Sequence, residues 1–168
     1  MAAATSSGTA KVTLPSDTQI LITRVFNAPK HLVFRAWTTP ELVRQWWHAK
    51  RGEVTVVDID LRAGGRWRWV MVTPDGMEVG FHGEYREIVP DERLVSTEVY
   101  EGIPAPDGAP EPFALNTLTL TEVDGRTQLS LLVEHETKEA RDGHVNSGME
   151  DGLQDALDLL EQLAVEER

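Results

Sequence analysis

HVNSGMEDGLQDALDLLEQL, residues 144–163, is the stretch on which the reading of the fold turns. Val145, Met149, Ala156, Leu160 and Leu163 recur at helical spacing, and Leu153, Leu157 and Ala164 widen the same apolar stripe. The pattern predicts one long amphipathic helix closing the chain, over about residues 144–165 and on the order of 33 Å in length at 1.5 Å per residue. Gly148 and Gly152 fall inside it, although a glycine in a helix interior costs roughly 1 kcal/mol relative to alanine. Either they let the helix backbone approach a strand, or they leave room for something beneath the helix.

Such a helix needs an apolar surface to cover, and the residues before it supply one. TQILITRVF (18–26) is β-branched and aromatic and reads as a strand. NAPKHLVFRAW follows, with Pro29 suited to a first helical turn and Val33, Ala36 and Trp37 on one face. TTPELVRQWW repeats the device with Thr39 as N-cap, Pro40 next and Glu41 in the first turn. Then come six strand-like runs, EVTVVDIDLR, RWRWVMVT, MEVGFHGEYREIV, RLVSTEVYE, FALNTLTLTEV and RTQLSLLVEHE. Gly64-Gly65, Pro74-Asp75-Gly76, Pro90-Asp91 and Asp124-Gly125 separate them, which is the signature of an antiparallel meander. EGIPAPDGAPEP (101–112) has four prolines and is expected to be an extended, exposed loop. The order predicts an α+β domain: a curved antiparallel sheet of about seven strands, two short helices after the first strand, and a long C-terminal helix over one face. A straight helix laid on a strongly curved sheet leaves space between the two.

Composition excludes several classes. The formal net charge of −12 repels nucleic acid and anionic membranes. With no cysteine, the chain has no disulfide, thiolate nucleophile or cysteine zinc site, and it suits a reducing cytoplasm. No apolar run reaches the roughly 20 residues that span a bilayer. MAAATSSGTA has neither the basic start nor the apolar segment of a secretory signal, and residues 1–17 are expected to be a disordered tail before a single domain over 18–168. The five histidines show no metal-binding spacing, Gly64-Gly65 lacks a phosphate-cradle pattern, and no GxSxG elbow occurs. Neither a cofactor nor a metal is expected.

Alternation assigns a lining for the space under the helix. Trp67, Trp69 and Met71 share a face, as do Phe81, Gly83 and Tyr85 on the next strand, Asn116, Leu118 and Leu120 further on, and Leu129, Leu131, Val133 and His135 on the last. Such a face suits either a filled core or a small-molecule pocket. His135 continues an apolar alternation, so its imidazole is placed to donate to a ligand carbonyl or to act as a base. His82 falls on the opposite face. Asp58 and Asp60 alternate with Val57, Ile59 and Leu61 and are expected in solvent. Of Trp46 and Trp47, one belongs in the core and the other at the sheet edge or cavity mouth.

RVFNAPKHLVFRAWTTPELVRQWW, DIDLRAGGRWRWVM, GEYREIVPDERLV and GMEDGL occur in an order that resembles the SRPBCC (START-like) superfamily, in the branch named for the activator of the ninety-kilodalton heat-shock protein ATPase. The resemblance spans about residues 18–165. It implies a helix-grip fold whose cavity, across the superfamily, takes lipids, sterols, polyketides and other apolar molecules. Members of the branch often carry Trp directly after the second glycine of the last helix. Here Leu153 stands there, which would enlarge a cavity.

Residues and resemblance together predict binding of an apolar or aromatic, lipid- or polyketide-like molecule, for transport, sequestration or resistance. The expected contacts are Trp67, Trp69, Met71, Phe81, Tyr85, Asn116, Leu118, Val133, His135, Met149, Gly152 and Leu153. No catalytic residue is assigned. The alternatives are a co-chaperone that activates a heat-shock ATPase by protein contact, and a cyclase or hydrolase working inside the cavity. A monomer or weak homodimer is expected.

Overall fold

The computed structural model of the protein describes residues 10–102 and 113–166. Residues 1–9 of the expected tail, and most of the proline-rich segment, lie outside the described residues.

The described chain runs β1 (Lys11–Thr13), β2 (Gln19–Phe26), α1 (Lys30–Thr38), α2 (Pro40–Trp46), β3 (Glu53–Ile59), β4 (Arg66–Val72), β5 (Glu78–Val89), β6 (Arg93–Tyr100), β7 (Ala114–Val123), β8 (Arg126–Glu134), α3 (Lys138–Val145) and α4 (Met149–Glu166). The strands form one eight-stranded antiparallel sheet in the order β1-β2-β8-β7-β6-β5-β4-β3. The architecture is α+β, a curved sheet with the helices on its concave face. The meander from β3 to β8 is the predicted one. Its β7–β8 turn has positive φ at both Asp124 (55°) and Gly125 (79°), the backbone a two-residue hairpin needs.

The expected fold class stands, and two of its details differ. The sheet has eight strands, because part of the tail expected to be disordered is an edge strand. Lys11–Thr13 pairs with Leu21–Thr23, and buried Ala10 is held on both sides by Gln154: its N–H donates to Gln154 Oε1 (2.9 Å) and its carbonyl accepts from Gln154 Nε2 (2.7 Å). Second, the C-terminal element is two helices. The chain leaves α3 at Asn146, and Gly148 adopts φ +85° before α4 begins. Gly148 is therefore a helix-stop residue in the left-handed region. The amphipathic stripe continues across the break, so periodicity alone does not reveal it.

The core lies between sheet and helices. α1 buries Leu32, Val33, Phe34 and Ala36, α2 buries Val43 and Trp46, and α4 buries Ala156, Leu157, Leu160 and Ala164. Trp46 Nε1 donates to the Ala36 carbonyl (2.8 Å), which ties α2 to α1. α4 packs mainly along α1 and α2. Its C-terminal half is nonetheless fixed to the sheet by a charge. Arg24, alternating on β2 with Ile20, Ile22 and Phe26, is wholly buried. Its guanidinium meets Asp158 Oδ1 (2.8 Å) and Glu161 Oε1 (3.0 Å), while Glu161 Oε2 accepts from the Asn27 N–H (2.8 Å).

Candidate functional site

Register decides which side chains face the helices. Trp69 stands opposite Phe81, Trp67 opposite Gly83, and Phe81 opposite Tyr100. Tyr85 stands opposite Ser96, Ser96 opposite Asn116, and Asn116 opposite Val133. These residues share the concave face, and Trp47, at the end of α2, reaches it to touch Trp69 and Phe81 (ring centroids 5.6 and 5.9 Å). Gly83 is essential to this surface. A Cβ there would collide with the Thr97 carbonyl oxygen and with Trp67 Nε1. Its absence lets the Trp67 indole lie across β5 and donate to that carbonyl (3.1 Å).

The face is filled unevenly. Ile20, Ile22, Leu118, Leu129 and Val133 are buried, as is the stripe of α4 at Leu157, Leu160 and Ala164. Phe81, Glu98, Asn116 and Leu131 on the sheet, and Met149 and Leu153 in the first turns of α4, keep part of their surface exposed. Tyr100, beside Phe81 at 5.2 Å, is 41% exposed. Water thus reaches the inner face near β5–β8 while the C-terminal half of α4 is clamped shut.

Glu98, which the sequence reading did not single out, is on this inner face between Ser96 and Tyr100 on β6. Burial pushes its carboxyl up from the ordinary glutamate value, and the neighbouring Asn116 side chain pulls partly the other way. Asn116 Oδ1 and Trp69 Nε1 are buried without a hydrogen-bond partner. Tyr85 is buried and its phenol is pushed up as well, by burial first and by the charge of Asp60 second, so it stays neutral.

This arrangement, a curved antiparallel sheet gripped by a C-terminal helix, matches a known family. The profile described as activator of Hsp90 ATPase homolog 1-like protein matches residues 27–164. The chain belongs to that family. Its fold is accordingly the helix-grip fold of the SRPBCC superfamily. Among solved structures it is similar to a protein from Rhodobacter sphaeroides (28% identity, TM-score 0.84, covering 95% of this chain and 99% of that one). It is also similar to one from Nitrosomonas europaea (26%, TM-score 0.78, 92% and 98%) and one from Mycobacterium smegmatis (26%, 0.78, 91% and 94%). A comparison with curated proteins found no match.

Within this member of the activator-homolog family, the aromatic and apolar candidates Trp67, Trp69, Met71, Phe81, Tyr85, Leu118 and Val133 come together with Asn116 on one face. Met149 and Leu153 lie on the α4 stripe above the sheet. Gly152 does not. A Cβ at Gly152 would look toward the Arg51 guanidinium at 3.9 Å, an ordinary contact, so no strand approaches there. Arg51 in turn pairs with Asp155 (2.8 Å). His135 follows β8 and turns to His144 of α3, Nε2 to Nδ1 at 3.0 Å, which makes it a link between strand and helix. His82 is on the convex face, where Glu101 binds both its Nδ1 (2.7 Å) and Arg68 Nη2 (2.9 Å). Asp58 and Asp60 are exposed. Trp46 is core, and Trp47 is the half-buried member at the aromatic edge.

A hollow of about 440 Å³ lies elsewhere, between the α2–β3 loop and the β4–β5 turn, lined by Lys50, Arg51, Gly52, Glu53, Val72, Thr73 and Pro74. Among the described residues no group of three or more His, Asp or Glu is arranged to hold a metal, and no helix is long and apolar enough to cross a membrane.

Proposed function

We propose that the protein binds an apolar, aromatic small molecule between the first turns of α4 and the concave face of β5–β8. The observation that carries this reading is the uneven burial of one continuous face. Phe81, Asn116 and Leu131 point inward yet remain partly exposed, beside same-face neighbours that are fully buried. Exposed apolar surface on a concave face is favourable to cover, at roughly 25 cal/mol per Å² removed from water. The aromatic edge of Trp47, Trp69, Phe81 and Tyr100 suits flat ring systems. Membership of the SRPBCC superfamily, whose folds typically take hydrophobic ligands, supports the same reading.

Native mass spectrometry of the gently purified protein, repeated after incubation with lipids and aromatic polyketides, tests it. A one-to-one adduct that Leu153→Trp abolishes is the expected result. Absence of any adduct at low collision energy would remove the proposal and direct attention to a protein partner.

A further inference from the structure

We infer that Glu98 and Asn116 make this site selective for apolar molecules that carry a positively charged nitrogen. The inference rests on the concave-face binding proposed above and adds the chemical class of the ligand. Glu98 and Asn116 lie on neighbouring strands and share the inner face, since Ser96 and Asn116 are direct partners and Glu98 is two residues from Ser96. Asn116 Oδ1 is buried with no hydrogen-bond partner. A buried acceptor left without a donor is destabilising. The pair thus offers a ligand acceptors: Oδ1 and the carboxyl oxygens. An ammonium group has donors only, and satisfies both.

The surroundings favour the same charge. Trp47, Phe81 and Tyr100 form a run of ring contacts on this face, and aromatic faces attract cations. Among the described residues no lysine, arginine or histidine pairs with Glu98, so the position of a counter-charge is open. Burial disfavours the charged form of the carboxyl. A cation within hydrogen-bonding distance favours the ionised form. The net charge of −12 raises the local concentration of cations over anions before contact.

The test uses two probes of nearly equal shape, 2-naphthylmethylamine, which is protonated at pH 7, and 2-naphthalenemethanol, which is neutral. Dissociation constants are measured by calorimetry for the wild type and for Glu98→Gln, with thermal melting to confirm folding. The amine should bind about tenfold or more tightly than the alcohol to the wild type, an advantage that Glu98→Gln removes while leaving alcohol binding within about threefold. Glu98→Met serves the same comparison should glutamine disturb folding. An alcohol that binds as tightly as the amine, or an amine advantage that survives both substitutions, overturns the inference and leaves concave-face binding standing. Binding of neither probe, together with no adduct in the mass spectra, overturns both.

Discussion

Arg24 Nη2 lies 3.0 Å from Glu161 Oε1, and the arginine side chain has no exposed surface at all. The pair joins β2 to the C-terminal half of α4 across the core. Removing one member of a buried pair leaves the other charge unpaired, which costs about 3–5 kcal/mol. Arg24→Ala is therefore expected to lower stability by that amount in urea denaturation. Adding Glu161→Gln should recover part of the loss. A cost for Arg24→Ala under about 1 kcal/mol would show that the pair does not hold the helix.

The glycines make opposite predictions. Gly83→Ala drives a Cβ into the Thr97 carbonyl and the Trp67 indole, and backbone cannot move aside cheaply. It should cost on the order of 2–3 kcal/mol and shift the tryptophan fluorescence, because Trp67 loses its hydrogen bond. Gly152→Ala meets only the flexible Arg51 side chain at 3.9 Å and sits in a helix. It should raise the melting temperature, by about 0.5–1 kcal/mol of stability. Equal effects at the two positions would contradict this placement.

The His135–His144 contact makes stability depend on pH. Burial lowers the proton affinity of His135, and burial together with the neighbouring His135 pushes His144 down to about 4. The unfolded chain binds these protons near the ordinary histidine value of about 6.5. Between those values the unfolded state holds more protons, so stability is present above about pH 6.5 and is lost as pH falls toward about 4. His144 alone accounts for up to about 3 kcal/mol of this change. Glu98 acts in the opposite sense, because its raised carboxyl holds a proton in the fold that the unfolded chain releases. The measurement is therefore a difference: His144→Gln should flatten the pH dependence of the urea midpoint across that window. Parallel profiles would show that the histidine pair does not titrate with unfolding.

Much of the sheet was legible because inner and outer residues alternate in composition. Trp67, Trp69 and Met71 against Arg66 and Arg68 leave one choice of face, and the Asp-Gly and Gly-Gly turns set the strand ends. The break between α3 and α4 was not legible. Gly148 interrupts the backbone without interrupting the apolar stripe, since Val145 and Met149 flank it at helical spacing. β1 is three residues long and is held by Gln154, a contact no local pattern encodes. Glu98 was missed because β6 buries side chains on both faces: Leu94 and Ser96 on one, Val95 and Thr97 on the other. Alternation therefore carries no signal on that strand. Arg24 did leave a signal, a single charge at an inward position between Ile22 and Phe26.

The most direct measurement is a methyl-resolved NMR titration of the labelled protein with 2-naphthalenemethanol, followed at Leu, Val and Met side chains. Concave-face binding predicts shift changes at Leu131, Met149 and Leu153, with the clamped Leu157 and Leu160 little affected. Changes confined to outward-facing methyls such as Met77, Val123 and Leu14, all of them exposed, would contradict it.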